Sequence, residues 1–244
     1  MNTFKIELAG KVIDIEHRYR YVYETGHDFL ADGMPDFSIK IENIDIERER
    51  TEYKAVHENY LLPDGYLEST AVLRKISDIL IEHGILLMHG CVISINHTAF
   101  MFMGSSGTGK TMHLYKWLKN MPETVVINGD KPFVITGDEI MACGSPWAGK
   151  EKLYTNAIVP LRSIVLMERN EKNIIEQIPF SRALATLIQQ TYLSNNTNKM
   201  KSGLSLLKSF DQKITFFRFR FNNFAEDAFQ VAYDALCDSN VFSN

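Results

Sequence analysis

The chain has 244 residues, of which 45% are hydrophobic and 23% are charged, and this composition is ordinary for a globular protein of one or two domains. The net charge of -4 argues against nucleic acid as a partner, and no apolar run approaches the ~18 residues of a membrane span. Three separated cysteines match no zinc spacing and are typical of a reduced cytoplasm, where we expect the protein. The cysteines are Cys91, Cys143 and Cys237.

The N-terminal third begins with alternating apolar residues, which predict two strands over residues 4–24, including the stretch "YRYVYE". Residues 26–64 are polar and irregular, and we interpret their charged run "IDIERERTEYK" as a solvated edge strand. Apolar residues at helical spacing then predict a helix over residues 65–84 that ends at Gly84.

The rest of the chain mixes strands and helices. "CVISI" and "TAFMFM" flank the two residues Asn96 and His97, which predicts an antiparallel hairpin with His97 in its turn. We predict helices in "TMHLYKWLKN", with His113 facing water, and in "FSRALATLIQQTYL" and "AEDAFQVAYDALC". Further strands are predicted in "TVVING", "KPFVIT", "EIMACGS", "SIVLMER" and "KITFFRFRF".

Residues 104–111 match the phosphate-binding pattern G-x-x-x-x-G-K-[ST] without a gap. The glycines let successive backbone N–H groups turn toward phosphate oxygens, and the next helix offers its N-terminus to the same anion. The lysine suits the β- and γ-phosphates of ATP and the threonine hydroxyl suits Mg²⁺. The eight residues are Gly104, Ser105, Ser106, Gly107, Thr108, Gly109, Lys110 and Thr111.

An acid follows the strand that comes after the loop and its helix. Asp130 ends "VVINGD" and is placed to hold Mg²⁺, to accept a proton from an attacking hydroxyl, or to do both. An aspartate in an ordinary turn is the alternative, because Asn-Gly and Gly-Asp are turn dipeptides.

A second glycine segment, "CGSPWAGKEKLYTN", covers residues 143–156. One interpretation is a lid in which Lys150 reaches a phosphate while Trp147 excludes water, which favours transfer over hydrolysis. The alternative is a surface loop anchored by a buried tryptophan. Asn156 and Arg162 are weaker candidates, although an arginine fork suits phosphate oxygens.

The order of these motifs resembles the catalytic domain of HPr kinase/phosphorylase, a family related in fold to ATP-dependent phosphoenolpyruvate carboxykinase. The resemblance is strongest over residues 88–135: "HGCVISI", the hairpin, the loop at 104–111, its helix and the strand that ends in Asp130. "GSPWAGKE" and "NAIVPLRSIVLMER" are similar to the shorter HPr-kinase-related proteins.

The resemblance implies an α/β fold with mixed, largely antiparallel sheets and helices. We expect a single domain over residues 1–244, with a strand-rich layer at 1–85 and a nucleotide-binding core at 86–244. The resemblance implies that His89 lies near the transferred phosphate and that Asp130 is the second acid of an Asp-Asp pair. Gly129 replaces the first acid, so Asp130 serves both roles, or Asp138 or Glu139 helps, or catalysis is weak.

The leading hypothesis is therefore an ATP- and Mg²⁺-dependent kinase that phosphorylates a hydroxyl, with the serine of a protein or peptide as the acceptor that the resemblance implies. Asp130, His89, Lys110 and Lys150 are its candidate catalytic residues, and Thr111 and Asp130 are its candidate metal ligands. The alternatives are a small-molecule kinase, a carboxykinase-like enzyme and a nucleotide-binding regulator without catalysis. Assembly into a homo-oligomer stays open.

Overall fold

The computed structural model of the protein describes residues 2–56, 61–222, 224–225 and 227–237. A small sheet is built from β1 (Asn2–Leu8), β2 (Lys11–His17) and β3 (Phe37–Lys40). A large mixed sheet contains β4 (Ile85–Leu87), β5 (Cys91–Ile95), β6 (Thr98–Met103), β7 (Val125–Asn128), β8 (Phe133–Ile135), β9 (Met141–Cys143), β10 (Ile158–Arg169), β11 (Ile174–Ile178) and β12 (Thr215–Phe221).

Seven α-helices are found in the part of the chain that the structure describes. They are α1 (Arg20–Gly26), α2 (Asn43–Val56), α3 (Asp64–Leu80), α4 (Lys110–Asn120), α5 (Phe180–Gln189), α6 (Thr197–Lys208) and α7 (Ala228–Cys237). Two short 3₁₀ turns, His27–Phe29 and Ile81–His83, follow α1 and α3. Sheets and helices of this kind make a mixed α/β fold, as the sequence predicts.

The prediction of a strand in "YRYVYE" is wrong, because residues 20–24 of this stretch belong to α1 and Tyr19 caps it. Val22 and Gly26 are its buried residues, and their spacing of four places both on one helical face. Gly26 lies so close to β1 that an added Cβ would meet the Phe4 ring at 2.9 Å. The tyrosines that produce the alternating pattern are instead exposed, among them Tyr21 and Tyr23.

The charged run that we interpreted as an edge strand belongs to α2, so this prediction is also wrong; residues 57–60 of the polar stretch lie outside the described residues. Ile46 and Glu49, three residues apart, are buried, which is helical spacing. Arg74 of α3 donates from Nε to Glu49 Oε1 at 2.5 Å. The charges of α2 therefore serve partly to attach it to α3.

Helix α3 confirms the prediction for residues 65–84, since Asp64–Leu80 continues into the 3₁₀ turn and ends at Gly84 with φ +74°. One face of α3 packs into a hydrophobic cluster that also contains residues of both sheets. Val72 of α3, Ile13 of β2 and Phe133 of β8 are members of that cluster. The N-terminal layer of three strands and three helices thus shares a core with the large sheet.

Most pairings in the large sheet are antiparallel. Strands β5 and β6 form the predicted hairpin, and Asn96 and His97 at its turn have φ +48° and +60°. Strand β10 pairs in parallel with both β6 and β12, and the remaining pairs are antiparallel. Within the described residues, no helix is both long and apolar enough to cross a membrane.

Candidate functional site

Three segments meet at one edge of the large sheet because of the direction of its strands. Strand β5 lies between β6 and β7 and is antiparallel to both, so the carboxyl ends of β6 and β7 lie beside the amino end of β5. His89 precedes β5, Gly104 follows β6 and Asp130 follows β7. The three candidate segments from residues 88 to 135 are therefore brought together by topology alone.

The loop after β6 turns at glycines with positive φ. Gly107 and Gly109 have φ +77° and +113°, values that L-residues with a side chain adopt only with strain. At Gly104 an added Cβ would lie 2.9 Å from the Met167 carbonyl oxygen of β10. The glycines thus allow the turn and a close approach to the neighbouring strand.

Helix α4 starts at Lys110, directly after the loop. Its first helical hydrogen bond runs from His113 N to Gly109 O at 2.9 Å, so the N–H groups of Lys110 and Thr111 precede the helical ladder. The Lys110 ammonium donates to the carbonyl oxygens of Gly104 and Ser105 at 2.8 and 3.2 Å. The helix N-terminus and a lysine therefore face the same loop.

The prediction that His113 faces water is wrong. Its side chain is 1% exposed, and its Nε2 accepts a hydrogen bond from Trp117 Nε1 at 2.9 Å. The ring packs between α4 and the sheet, with Phe102 and Phe219 at centroid distances of 5.0 and 5.3 Å. Burial lowers the pKa of His113 to about 3, and the nearby Lys116 charge acts in the same direction. His113 is thus a neutral core residue that holds α4 against the sheet.

His89 and Asp130 form a pair at the sheet edge. The distance from His89 Nε2 to Asp130 Oδ1 is 3.1 Å, and each side chain is 32% exposed. The backbone holds both residues: His89 N donates to Gln190 O at 2.7 Å, and Gly90 N donates to Asp130 O at 3.0 Å. Asp130 N also donates to the side-chain oxygen of Asn128 at 2.8 Å. The pair is therefore fixed in place from several directions.

The charges of Asp130 and Lys110 influence each other across the site. Burial acts to raise the pKa of Asp130, but the hydrogen bond from His89 and the charge of Lys131 lower it below its usual value. Burial lowers the pKa of Lys110, while the charge of Asp130 opposes that change. Asp130 is therefore ionised at neutral pH, and its carboxylate belongs to the same electrostatic site as the loop lysine.

Gly129 stands where the resemblance implies an acid, and packing explains the glycine. An added Cβ would lie 3.0 Å from the Ala148 carbonyl oxygen and 3.3 Å from that of Leu153. Gly129 N also donates to Leu153 O at 2.9 Å. The second glycine segment thus occupies the space of a side chain, and two carbonyl oxygens would repel a carboxylate there.

The second glycine segment packs on the turn that carries Asp130. An added Cβ on Gly149 would lie 3.1 Å from Asp130 Cβ, so the backbone of the segment approaches the Asp130 turn, and the next residue, Lys150, is exposed. Trp147 is half-buried, and its Nε1 donates to Ser69 Oγ of α3 at 3.0 Å. The structure therefore makes Trp147 an anchor to the N-terminal layer, while Lys150 follows the glycine that packs on Asp130.

Four weaker candidates lie away from the pair. Asp138 and Glu139 are exposed at the turn between β8 and β9, at the end of β8 opposite to Asp130. Arg162 lies near the amino end of the β10 segment that runs parallel to β6, whereas the loop follows the carboxyl end of β6. Asn156 is exposed, and its Nδ2 donates to Asp28 O at 3.4 Å.

Two side chains with oxygen donors at this edge are candidate metal ligands. The described residues contain no group of three or more His, Cys, Asp or Glu side chains that could hold a metal ion. Mg²⁺ is commonly held by one or two protein oxygens together with phosphates. Thr111 is exposed in the first turn of α4, and Asp130 supplies a carboxylate at the same edge. These two side chains could hold Mg²⁺ beside a triphosphate.

Sequence reasoning missed three residues of the site. Lys131 has its Nζ 3.6 Å from Asp130 Oδ2, and Arg169 at the end of β10 donates from Nη2 to Gly107 O of the loop. Gln190 positions His89 through its backbone oxygen. The adjacency of Lys131 to Asp130 was visible in the sequence, but the contacts of Arg169 and Gln190 depend on long-range pairing that no local pattern reveals.

Comparisons with known proteins give limited information. No protein-family model matches the chain, and no curated protein sequence matches it. Among solved structures, the HPr(Ser) kinase/phosphatase from Coxiella burnetii is similar with a TM-score of 0.38 and 7% sequence identity. That alignment covers 61% of this chain and 89% of the other.

Proposed function

We propose that the protein is an ATP-dependent kinase that transfers the γ-phosphoryl group to a hydroxyl. The observation that carries the proposal is the His89–Asp130 pair, with 3.1 Å between Nε2 and Oδ1, at the sheet edge that also carries the 104–111 loop. A loop alone supports nucleotide binding. An ionised, positioned carboxylate beside the loop lysine supplies what a transfer reaction needs in addition.

The residues from Gly104 to Thr111 bind the triphosphate through backbone N–H groups and the start of α4. Lys110 exchanges the Gly104 and Ser105 carbonyl oxygens for phosphate oxygens and neutralises charge during transfer. Thr111 and Asp130 would hold Mg²⁺, and the ion would supply neutralisation of phosphate charge. Lys150, beside the Asp130 turn, adds a further cation from the second glycine segment.

Asp130 accepts the proton of the acceptor hydroxyl. The hydroxyl oxygen forms a bond to the γ-phosphorus, the bond from that phosphorus to the bridging oxygen breaks, and ADP leaves. The hydrogen bond from His89 to Oδ1 orients the carboxylate, and Oδ2, which faces Lys131 at 3.6 Å, meets the hydroxyl or the metal when Lys131 moves aside. Because the transition state of phosphoryl transfer is loose, orientation contributes more than basicity, so the lowered pKa of Asp130 suits this role.

The serine of a protein or peptide is our leading acceptor, and a small hydroxyl compound is the alternative. A carboxykinase-like reaction is a further alternative, and it would need a second metal site and an arginine that binds oxaloacetate. Gly129 favours a second candidate, a nucleotide-binding regulator with little or no catalysis. Two carbonyl oxygens crowd Gly129, so Asp130 alone would have to bind the metal and accept the proton.

Label transfer from ATP tests the proposal. The wild-type protein is incubated with Mg²⁺ and either γ-labelled or α-labelled ATP, with serine peptides, hydroxyl compounds and lysate fractions as acceptors. A kinase labels an acceptor from γ-labelled ATP alone. Label from α-labelled ATP would indicate nucleotidyl transfer, and tight ATP binding without label in any acceptor would favour the regulator.

A further inference from the structure

A cavity of about 290 Å³ lies beside the His89–Asp130 pair, between α3 and the segments around β4 and the end of α5. His89 and Lys131 line it on the side of the pair. Leu73 of α3 and the residues Leu87 and Met88 supply apolar walls. The volume is near the lower end of the range for small-ligand sites, roughly 300–1,000 Å³. The cavity thus has a position and a size that suit an acceptor group.

The charges that line the cavity are already paired. Arg74 faces Glu49 and Glu52, with its Nε and Nη2 each 2.5 Å from a carboxylate oxygen, and Lys131 faces Asp130 at 3.6 Å. A ligand with a carboxylate or a phosphate would have to compete with these protein carboxylates. An uncharged ligand would not, so the electrostatics favour a neutral group.

Gln190 adds an unsatisfied polar atom. Gln190 is one of the residues that line the cavity, and its Oε1 is buried without a hydrogen-bond partner among the described residues. A buried acceptor without a partner costs about 1–3 kcal/mol, and such groups are rare in native proteins. A ligand O–H or N–H would supply the missing partner once the Gln190 side chain turns toward the cavity.

We propose that this cavity is the acceptor subsite, and that it takes an uncharged hydroxyl group carried next to an apolar group. The inference rests on the proposed kinase function and adds the location and chemistry of the acceptor. The apolar part packs on the wall that contains Leu73 and Leu87, while Gln190, with its side chain turned toward the cavity, accepts a hydrogen bond from the ligand. The hydroxyl then lies on the side of the cavity that His89 shares with Asp130.

Methyl NMR of Met88 tests the cavity without any need for catalysis. Methionine methyl groups are labelled with ¹³C, and the Met88 signal is assigned with Met88→Leu. The probes are N-acetyl-leucyl-serinamide, its alanine and aspartate analogues, and N-acetylleucinol as a free alcohol. We expect the Met88 signal to shift with the serine probe, less with the alanine analogue and least with the aspartate analogue. A shift with the serine probe but not with N-acetylleucinol identifies a peptide as the source.

Two variants make the test specific. Thr70 lines the cavity from α3, so the larger side chain of Thr70→Phe should fill it. We expect the affinity for the serine probe to fall by about tenfold, or ~1.4 kcal/mol. Thr51→Phe is the matched control, because Thr51 on α2 makes the same hydroxyl bond to the carbonyl four residues earlier and does not line the cavity. Gln190→Leu should lower the affinity for the serine probe more than the affinity for the alanine analogue.

The results separate the two proposals. Probe binding without label transfer from ATP would refute the kinase and leave an alcohol-binding cavity. If Thr70→Phe leaves label transfer unchanged and no probe shifts the Met88 signal, the cavity is not the acceptor subsite. The proposed kinase function would then stand without it. Preference for the aspartate analogue would overturn the inference of an uncharged ligand.

Discussion

At Gly107 in the phosphate loop, φ is +77° and nothing lies within 4 Å of the place where a Cβ would be, whereas at Gly144 in the second segment an added Cβ would lie 1.9 Å from Thr155 O. Both segments are rich in glycine, and their sequences alone suggest similar ligand-binding loops. The first uses glycine to turn its backbone toward open space, where a ligand fits. The second uses glycine to let the chain pack against itself.

The difference teaches that glycine content alone does not identify a binding loop. In the second segment, Gly144 and Gly149 lie against other residues of the protein, and the segment also packs on Gly129, so it supports the Asp130 turn. In the first, the glycines are accompanied by the start of a helix and by Lys110. The predictions below test this division of roles, from the largest expected effect to the smallest.

Gly144→Ala should be the most damaging change. The new Cβ would overlap the Thr155 carbonyl oxygen at 1.9 Å. The Ile127 carbonyl oxygen would lie 3.0 Å from the same Cβ, so the backbone has little room to move away. We expect a loss of more than about 3 kcal/mol in the free energy of unfolding, or no folded protein. Urea unfolding measures it. Gly137→Ala, where the closest contact is an ordinary 3.6 Å, is the control and should change stability little.

Acid should weaken the packing of α4 through His113. Its pKa of about 3 in the folded protein lies below the unfolded value of 6.5, so the unfolded state binds more protons between those values. This contribution to stability is present above pH 6.5 and is lost as the pH falls toward 3. Between pH 7 and 5 we expect a loss of about 2 kcal/mol from this group.

His113→Gln is the matched variant, because its amide oxygen can still accept the hydrogen bond from Trp117 Nε1. Urea unfolding at several pH values should show a smaller loss of stability between pH 7 and 5 in the variant than in the wild type. Equal pH dependence in both proteins would contradict the assignment of His113 as a buried neutral residue.

Gly107→Ala should have a smaller and different effect from Gly144→Ala. The added methyl group meets no atom within 4 Å, so only the positive φ is unfavourable, at a cost of about 1–2 kcal/mol. We also expect weaker ATP binding, because relief of the strain would turn loop N–H groups away from the phosphates. Titration calorimetry with Mg-ATP measures this. A loss of stability as large as that of Gly144→Ala would refute the contrast between the loops.

Trp147→Phe should have the smallest effect. It removes the hydrogen bond from Nε1 to Ser69 Oγ, which is worth about 1 kcal/mol, and it keeps most of the aromatic packing. If Trp147 is an anchor, stability falls slightly and the ratio of transfer to ATP hydrolysis is unchanged. A higher share of hydrolysis would restore the interpretation of Trp147 as a lid.

The parts of the fold that follow local rules were predictable from the sequence. The hairpin around Asn96 and His97, helix α3 with its stop at Gly84, and the strand–loop–helix order around residues 104–111 depend on short-range spacing. The strand predicted in "YRYVYE" was wrong because aromatic residues that face outward imitate buried alternation. The edge strand predicted in the residues of α2 was wrong because the charged run is not wholly solvated. Glu49 is buried in an ion pair with Arg74 of α3, and no local pattern reveals that contact.

The site was predictable in its residue types but not in its arrangement. The position of Lys110 follows from the loop pattern, and that of Asp130 from its place after a strand. The insertion of β5 between β6 and β7, which brings His89 to Asp130, is a long-range pairing. The cavity beside Gln190 depends on the packing of α3 from the N-terminal layer, which no motif in the nucleotide-binding segment indicates.

The most direct test of the central claim compares wild type, Asp130→Asn and Asp138→Asn for transfer from γ-labelled Mg-ATP in a single turnover at saturating nucleotide. Asp138 is the control, because it is exposed at the far end of the β8–β9 hairpin. We predict that Asp130→Asn lowers the transfer rate by about 10²–10⁴-fold with ATP affinity nearly unchanged, while Asp138→Asn behaves as wild type. Wild-type transfer by Asp130→Asn would contradict the account.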